Sequence, residues 1–246
     1  MKLPPFATAA ALLLILPGTL PADWVMENKI ENPRATIVAT IKAKGDKFRV
    51  DVATGPRGAM TTILDTAGGE VIQLSHERKQ VSRISSERLK QRIEELKKRT
   101  KPVTDAPPPT PKDTGEKEKI GAWECEIYTL ESGQSKGRIW IATNLPKAAE
   151  INAMLEKLKT GGLGGGQNGI DTSSLPGVIV KAETISPAGK STMSITALRE
   201  EDVAATEFNV PDDYTNDSTL TAPAIPPLKT VPSAPSGAPG IEKKGK

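Results

Sequence analysis

Residues 35–52 read ATIVATIKAKGDKFRVDV. In the second half Phe48, Val50 and Val52 alternate with Lys47, Arg49 and Asp51. Successive strand side chains point to opposite faces, so a period of two puts one apolar face on a core and one charged face in water. Ile37, Ala39, Ile41 and Ala43 alternate in the same way in the first half. Gly45-Asp46 between the two runs supplies a tight turn, and the pair reads as a β-hairpin. The pattern continues outward. Met60 to Asp65 and Glu70 to Leu74 flank Ala67-Gly68-Gly69, and Gln80 to Ile84 follows the polar turn His76-Glu77-Arg78-Lys79. From Trp24 to Ile84 the chain therefore predicts an antiparallel meander.

The period then changes. Ser85 or Ser86 caps a helix with Glu87 in its first turn, where a negative charge suits the dipole. Leu89, Ile93 and Leu96 fall at i, i+4 and i+7, and Arg88, Lys90, Arg92, Lys97, Lys98 and Arg99 crowd the remaining surface. Residues 76–101 hold ten Lys/Arg against four Asp/Glu, so the basic excess of a chain with net charge +3 is concentrated there. Pro102 stops the helix, and Pro107-Pro108-Pro109 with Pro111 predict a flexible insertion over about 100–118.

Strand signal resumes at Gly121. Trp123, Cys125 and Ile127 share one face, and Glu124, Glu126 and Tyr128 the other. Arg138 to Thr143 is a further strand. Asn144 and Pro146 start a second helix with Ile151, Met154, Leu155 and Leu158 as its apolar stripe. Six glycines between Gly161 and Gly169 end it and mark a second flexible insertion, about 161–175. Val178 to Ile185 and Thr192 to Leu198 form a last hairpin, and Phe208-Asn209-Val210-Pro211 reads as a closing edge segment because Pro211 cannot donate to a ladder. The fold class is α+β: a curled antiparallel sheet, or half-barrel, with two amphipathic helices on its concave side.

The ends are different in kind. Lys2, the apolar run Phe6 to Leu16, the breaker Pro17-Gly18 and the small residue Ala22 read as a secretory leader over 1–22. Its apolar run is far short of the ~20 residues that span a bilayer. No later segment is apolar enough to span. Residues 23–215 form one domain, and 216–246, with six prolines and four lysines, predict a disordered tail. The mature protein is expected to be exported, to the periplasm or beyond.

Composition removes several functions. Aromatic residues are 3% of the chain, too few for the stacking surfaces of nucleic-acid binding. One His and one Cys cannot build an ordinary zinc site. The run Gly164 to Gly169 has dinucleotide-loop spacing but follows a helix instead of joining a strand to one. Gly189-Lys190-Ser191 opens an alternating strand and not the helix that a phosphate loop requires. His76 sits between Ser75 and Glu77, and adjacent strand residues point apart, so the three do not form a triad. Cys125 lies with Trp123 and Ile127 and reads as a small buried hydrophobe. With no acid, base, nucleophile or metal constellation, the expectation is a protein that is not an enzyme and uses no cofactor or metal.

Gly137-Arg138-Ile139-Trp140-Ile141-Ala142-Thr143, the helix after it, the start Gly121-Ala122-Trp123-Glu124-Cys125, and Phe208-Asn209-Val210-Pro211-Asp212-Asp213-Tyr214 together carry a resemblance. They resemble a family of bacterial exported proteins, the domain of unknown function 4412, over roughly residues 24–214. That family is similar to the periplasmic lipoprotein-carrier (LolA-like) fold, a half-barrel of antiparallel strands closed by helices. The resemblance implies a fold and no catalytic residues. The Pro-rich insertion, the glycine tract and the tail depart from a compact carrier.

Two functions follow. The first is a soluble periplasmic binding or carrier-like protein for an apolar ligand, a lipid or a lipoprotein acyl chain. Its site would use Ala39, Ile41, Ala43, Val50, Ala182 and Ala197 as a concave wall, with Ile93, Leu96, Met154 and Leu155 closing it, since small side chains leave room for a ligand. The second is a non-enzymatic cell-envelope interaction protein. Its basic helix (Arg88, Lys90, Arg92, Lys97, Lys98, Arg99) would meet an anionic envelope surface, and its tail would extend outward.

Overall fold

The structure is a computed structural model and describes residues 22–53, 58–85, 87–89, 91, 94–95, 110–132, 135–161, 163, 175–186 and 189–217. The first strands are β1 (Trp24–Asn32), β2 (Ala35–Lys44), β3 (Lys47–Val52), β4 (Met60–Asp65), β5 (Glu70–Ser75) and β6 (Gln80–Ser85). Then come β7 (Lys112–Ile120), β8 (Trp123–Ser132) and β9 (Ser135–Ala142), and the helix α1 (Ala148–Thr160). The chain closes with β10 (Val178–Ser186), β11 (Gly189–Glu200), a 3-10 turn (Ala205–Phe208) and β12 (Thr215–Asn216).

All twelve strands join one open sheet in the order β12-β6-β5-β4-β3-β2-β1-β11-β10-β9-β8-β7. Each of the runs β1–β6 and β7–β11 is a meander of neighbours in sequence. The β1–β11 ladder, Trp24 against Glu200 through Glu31 against Thr192, joins the two. Pairing is antiparallel except between β12 and β6.

Register sorts the side chains by face. One cross-strand row runs Met26, Ile41, Val50, Thr62, Gln73, Ser82. Its neighbour runs Asn28, Ala39, Val52, Met60, Ser75, Gln80. This face carries the main apolar cluster, where Phe48, Leu64 and Val71 meet Ile151, Met154 and Leu158 of α1. Burying each such side chain contributes about 1.5–3 kcal/mol. The helix is held at both ends. Lys147 reaches Glu200 of β11 at 2.7 Å, and Lys157 reaches Asp46 in the β2–β3 turn at 2.7 Å. Glu150 in its first turn and Lys157 and Lys159 in its last complement the dipole.

The opposite face of β1–β6 has its own cluster, Val25, Ile63, Ile72, Leu74 and Val81, covered by Val203 and Phe208 with Val210 and Tyr214 beside them. A polar chain fixes this strap. Arg49 Nε donates to both Asp51 oxygens at 2.8 and 3.0 Å, and its Nη1 donates to the Glu207 carbonyl at 2.7 Å. Thr61 Oγ1 bonds Asp51 and lies 2.8 Å from His76 Nε2, while His76 Nδ1 lies 2.6 Å from the Tyr214 hydroxyl. A carboxylate only accepts, so Thr61 donates to Asp51, His76 Nε2–H donates to Thr61, and Tyr214 donates to Nδ1.

Between β1 and β2, Asn32 Oδ1 accepts from the Arg34 and Ala35 amides and turns the chain at Pro33. Several expectations change. Residues 112–118 of the insertion expected over about 100–118 belong to strand β7. It is exposed along almost its whole length, so no apolar alternation announces it. Phe208 ends a 3-10 turn and is not part of an edge strand; the edge pairing is made by Thr215 and Asn216. One helix, α1, is described along its full length. Helical backbone also occurs at residues 87–89, 91 and 94–95, where Ser85 Oγ accepts from the Arg88 amide and Leu89 joins the main cluster. Residues 1–21 of the leader expected over 1–22, most of the glycine tract and the tail beyond 217 lie outside the described residues, whereas Ala22 packs against the main cluster.

Burial pushes the Asp51 carboxyl up, but the hydrogen bonds from Arg49 and Thr61 outweigh it and hold the group below its ordinary value of 3.8. A depressed folded-state pKa gives stability that is full above the unfolded pKa and is lost as pH falls through the folded one. Asp51→Asn should therefore lose about 1–2 kcal/mol at pH 7. Urea unfolding should show this gap from the parent chain narrowing below about pH 4, and a gap equal at pH 7 and pH 3 would contradict the assignment.

Candidate functional site

Between α1 and the sheet lies a cavity of about 210 Å³. On the sheet side β1 contributes Met26, Asn28 and Ile30, β2 contributes Ile37, Ala39 and Ile41, and β3 contributes Val50 and Val52. Ile179 of β10 and Met193 and Ile195 of β11 complete that wall. From the other side come Asn152, Leu155, Glu156, Leu158 and Lys159 of α1, and Leu163 just beyond it. The walls are ordered inward to outward. Met26, Ile41, Leu158, Ile179 and Ile195 are buried, whereas Ile30, Ile37, Val50, Val52, Leu155 and Met193 are half-buried and form the outer part.

The local chemistry explains why the space is apolar and open. Strand residues two apart share a face, so Ile37, Ala39 and Ile41 all point the same way, as do Val50 and Val52. Ala39 is the small residue at the centre of the row and leaves room in front of it. On α1, Leu155 and Leu158 face the sheet, while Glu156 and Lys159 pair with each other at 3.3 Å. Asn152 donates through Nδ2 to the Gly177 carbonyl at 3.1 Å, so its carboxamide is held to the β10 entrance. Gly177 also lets β10 close on β9: a Cβ there would lie 2.0 Å from the Ala142 carbonyl oxygen.

Of the residues expected from sequence, Ala39, Ile41, Val50 and Leu155 line this cavity. Ala43 and Met154 sit in the main cluster, Ala182 packs against Leu130, Ile139, Ile141 and Ile179, and Ala197 faces Glu27 across the β1–β11 ladder. Ile93 and Leu96 lie outside the described residues. So do Lys90, Arg92, Lys97, Lys98 and Arg99 of the expected anionic-partner patch, and only Arg88 is described there, exposed. Ile37 and Val52 could have been added by extending the same period-two runs. Met26 and Ile30 were obscured because Asn28, between them on the same face, interrupts the apolar alternation that Glu27 and Lys29 on the other face would otherwise complete.

The chemistry-bearing residues lie elsewhere. His76 belongs to the strap network on the opposite face. Cys125 is buried in the main cluster, and burial pushes its thiol up from the ordinary value. Trp140 is buried beside Lys181, whose Nζ is 4.0 Å from the ring centroid, and donates from Nε1 to Glu118 at 2.6 Å. Among the described residues no helix is long and apolar enough to cross a membrane.

Two substitutions test this geometry. Gly177→Ala should destabilise by about 1–3 kcal/mol, because the added methyl meets backbone that cannot yield. Leu158→Ala should lower stability by about 2–4 kcal/mol while enlarging the cavity, so that the melting temperature falls and longer alkyl probes gain affinity relative to short ones. A Leu158→Ala protein as stable as the parent would contradict the packing of α1.

A search of curated proteins found no match. Among solved structures the chain is similar to PNGF-II, at 12% identity and a TM-score of 0.37, covering 81% of this chain and 31% of that one. It is also similar to the Mycobacterium tuberculosis lipoprotein LppX, at 11% identity and a TM-score of 0.38, covering 77% and 90% of the two chains. A third likeness is to MucB in complex with MucA(peri), at 7% identity and a TM-score of 0.38, covering 79% and 56%. The chain thus spans about a third of the length of PNGF-II. The profile of the domain of unknown function DUF4412 matches residues 24–214, from the first residue of β1 to the residue before β12. That span takes in both meanders, α1 and the C-terminal strap, and the chain belongs to the DUF4412 family.

Proposed function

We propose that the chain is an exported, non-enzymatic binding or carrier-like protein that holds one apolar group between α1 and the sheet. The observation that carries this reading is the apolar cavity of about 210 Å³. Its size bounds the ligand. It is larger than the ~150 Å³ void that takes up benzene. It is smaller than the ~300–1,000 Å³ pockets of drug-sized ligands. A single alkyl or acyl segment, or a small apolar molecule, fits it; an entire multi-chain lipid does not. The secretory leader expected from the sequence of residues 1–22 supports export.

Binding would be driven by removing the ligand's apolar surface from water at about 25 cal/mol per Å². The half-buried outer side chains provide the entry.

The test is mass spectrometry of an organic extract from protein purified without detergent, paired with thermal shift on adding medium-chain alkyl compounds. A co-purifying apolar molecule, or a melting temperature that rises with alkyl concentration, supports the reading. Leu155→Trp should fill the cavity and abolish the shift at unchanged fold. An empty extract with no shift for any alkyl probe would overturn it.

A further inference from the structure

We infer that the ligand is an uncharged amphiphile, an alkyl body bearing a hydroxyl, and that Asn28 reads the hydroxyl. This rests on the binding reading above and specifies its substrate class. Eleven sheet residues line the cavity, and Asn28 is the one polar side chain among them. Its Oδ1 is buried and has no hydrogen-bond partner. Asn152, the carboxamide on the helix side, is already engaged with Gly177, and Glu156 and Lys159 satisfy one another. Asn28 is thus the cavity's unmatched polar group.

The backbone places it deliberately. Between Glu27 and Asn28 the β1–β11 register shifts, with Thr196 as the extra residue of β11, and Thr196 Oγ1 donates to the Glu27 carbonyl at 3.2 Å. A bulge re-aims the neighbouring side chains and twists the strand locally. The flanking Met26 and Ile30 on the same face keep the alkyl character on either side of the amide.

A buried amide oxygen without a partner is unfavourable, and a ligand that supplies the partner gains what the chain lacks. The terminal torsion of Asn is soft, so either end of the amide can turn to the ligand. A hydroxyl both donates and accepts and matches either end. A carboxylate or phosphate at Asn28 would have to be desolvated among Met, Ile and Val of the sheet wall, and the lysine of the lining, Lys159 on α1, is already paired with Glu156, which disfavours a charged head there.

The experiment compares 1-octanol, its methyl ether and octanoate at pH 7 by titration calorimetry with the full mature protein. The expected result is 1-octanol about tenfold tighter than the ether, in line with one hydrogen bond, and octanoate weakest. Asn28→Leu should bring alcohol and ether to equal affinity, and it should not lower the melting temperature, since it removes an unpaired polar group. Equal affinity of alcohol and ether in the parent protein overturns the inference and leaves the binding reading standing. So does a tenfold preference that survives in Asn28→Leu. Binding of none of the three overturns both. The parent comparison decides the matter even if the variant does not fold.

Discussion

The β1–β11 ladder is the constraint on which the rest of the molecule depends. Every other antiparallel pairing in the sheet joins strands adjacent in sequence, while this one brings together residues at least 161 positions apart. Its closure entropy is the largest in the fold, and contacts of this kind slow folding. Once it forms, the remaining geometry follows. The two meanders become one sheet, and α1 lies across the seam with Lys147 on the β11 side and Lys157 on the β2–β3 turn. The cavity straddles the same seam, with Met26, Asn28 and Ile30 on one side and Met193 and Ile195 on the other. A site built on the least local contact forms only when the whole sheet has formed.

An open twelve-strand sheet leaves two edges, and the chain treats them differently. At one edge β12 is two residues long, too short to template another strand. At the other, β7 reads KDTGEKEKI and is exposed along its length, so its charges oppose pairing with a second chain. The same charges tie it down within the molecule: Glu116 pairs with Arg138 at 2.6 Å, and Glu118 accepts from the Trp140 indole.

These edges also explain what could be read from sequence. The hairpin around Gly45 and the strand of Trp123 to Ile127 were legible from alternation of apolar and polar residues, whereas β4, β5 and the start of β10, buried on both faces, were legible from short apolar runs bounded by turn residues. The α1 stripe was legible from alternation at a period of 3.6. Strand β7 was illegible because hydrogen bonding and side-chain charge hold it, not burial. The strap network was illegible because His76 and Tyr214 lie 138 positions apart and neither sits in a motif. In the site, Ala39, Ile41, Val50 and Leu155 were found through periodicity. Ala43 and Met154 share that periodicity but lie beyond the cavity's end, and period alone does not say where along a strand a cavity stops. Asn28 was missed because a polar residue between Glu27 and Lys29 reads as solvent-facing until register places it between Met26 and Ile30.

The cavity has an energetic consequence. The outer apolar side chains Ile30, Ile37, Val50 and Leu155 stay half-buried around this opening, and each Å² of apolar surface left in water forgoes about 25 cal/mol. Cores that have only to be stable fill such space with a methyl or a larger residue. Here the central position is Ala39, where Val or Ile would extend the row already made by Ile37 and Ile41. A filled site would recover contacts that the chain leaves unmade, and it would do so only in the folded state, which is the condition under which a ligand stabilises a protein. The missing side-chain volume in front of Ala39 and the missing hydrogen bond at Asn28 lie on one cross-strand row, because the two residues are directly paired. One molecule with an alkyl chain and a hydroxyl would supply both.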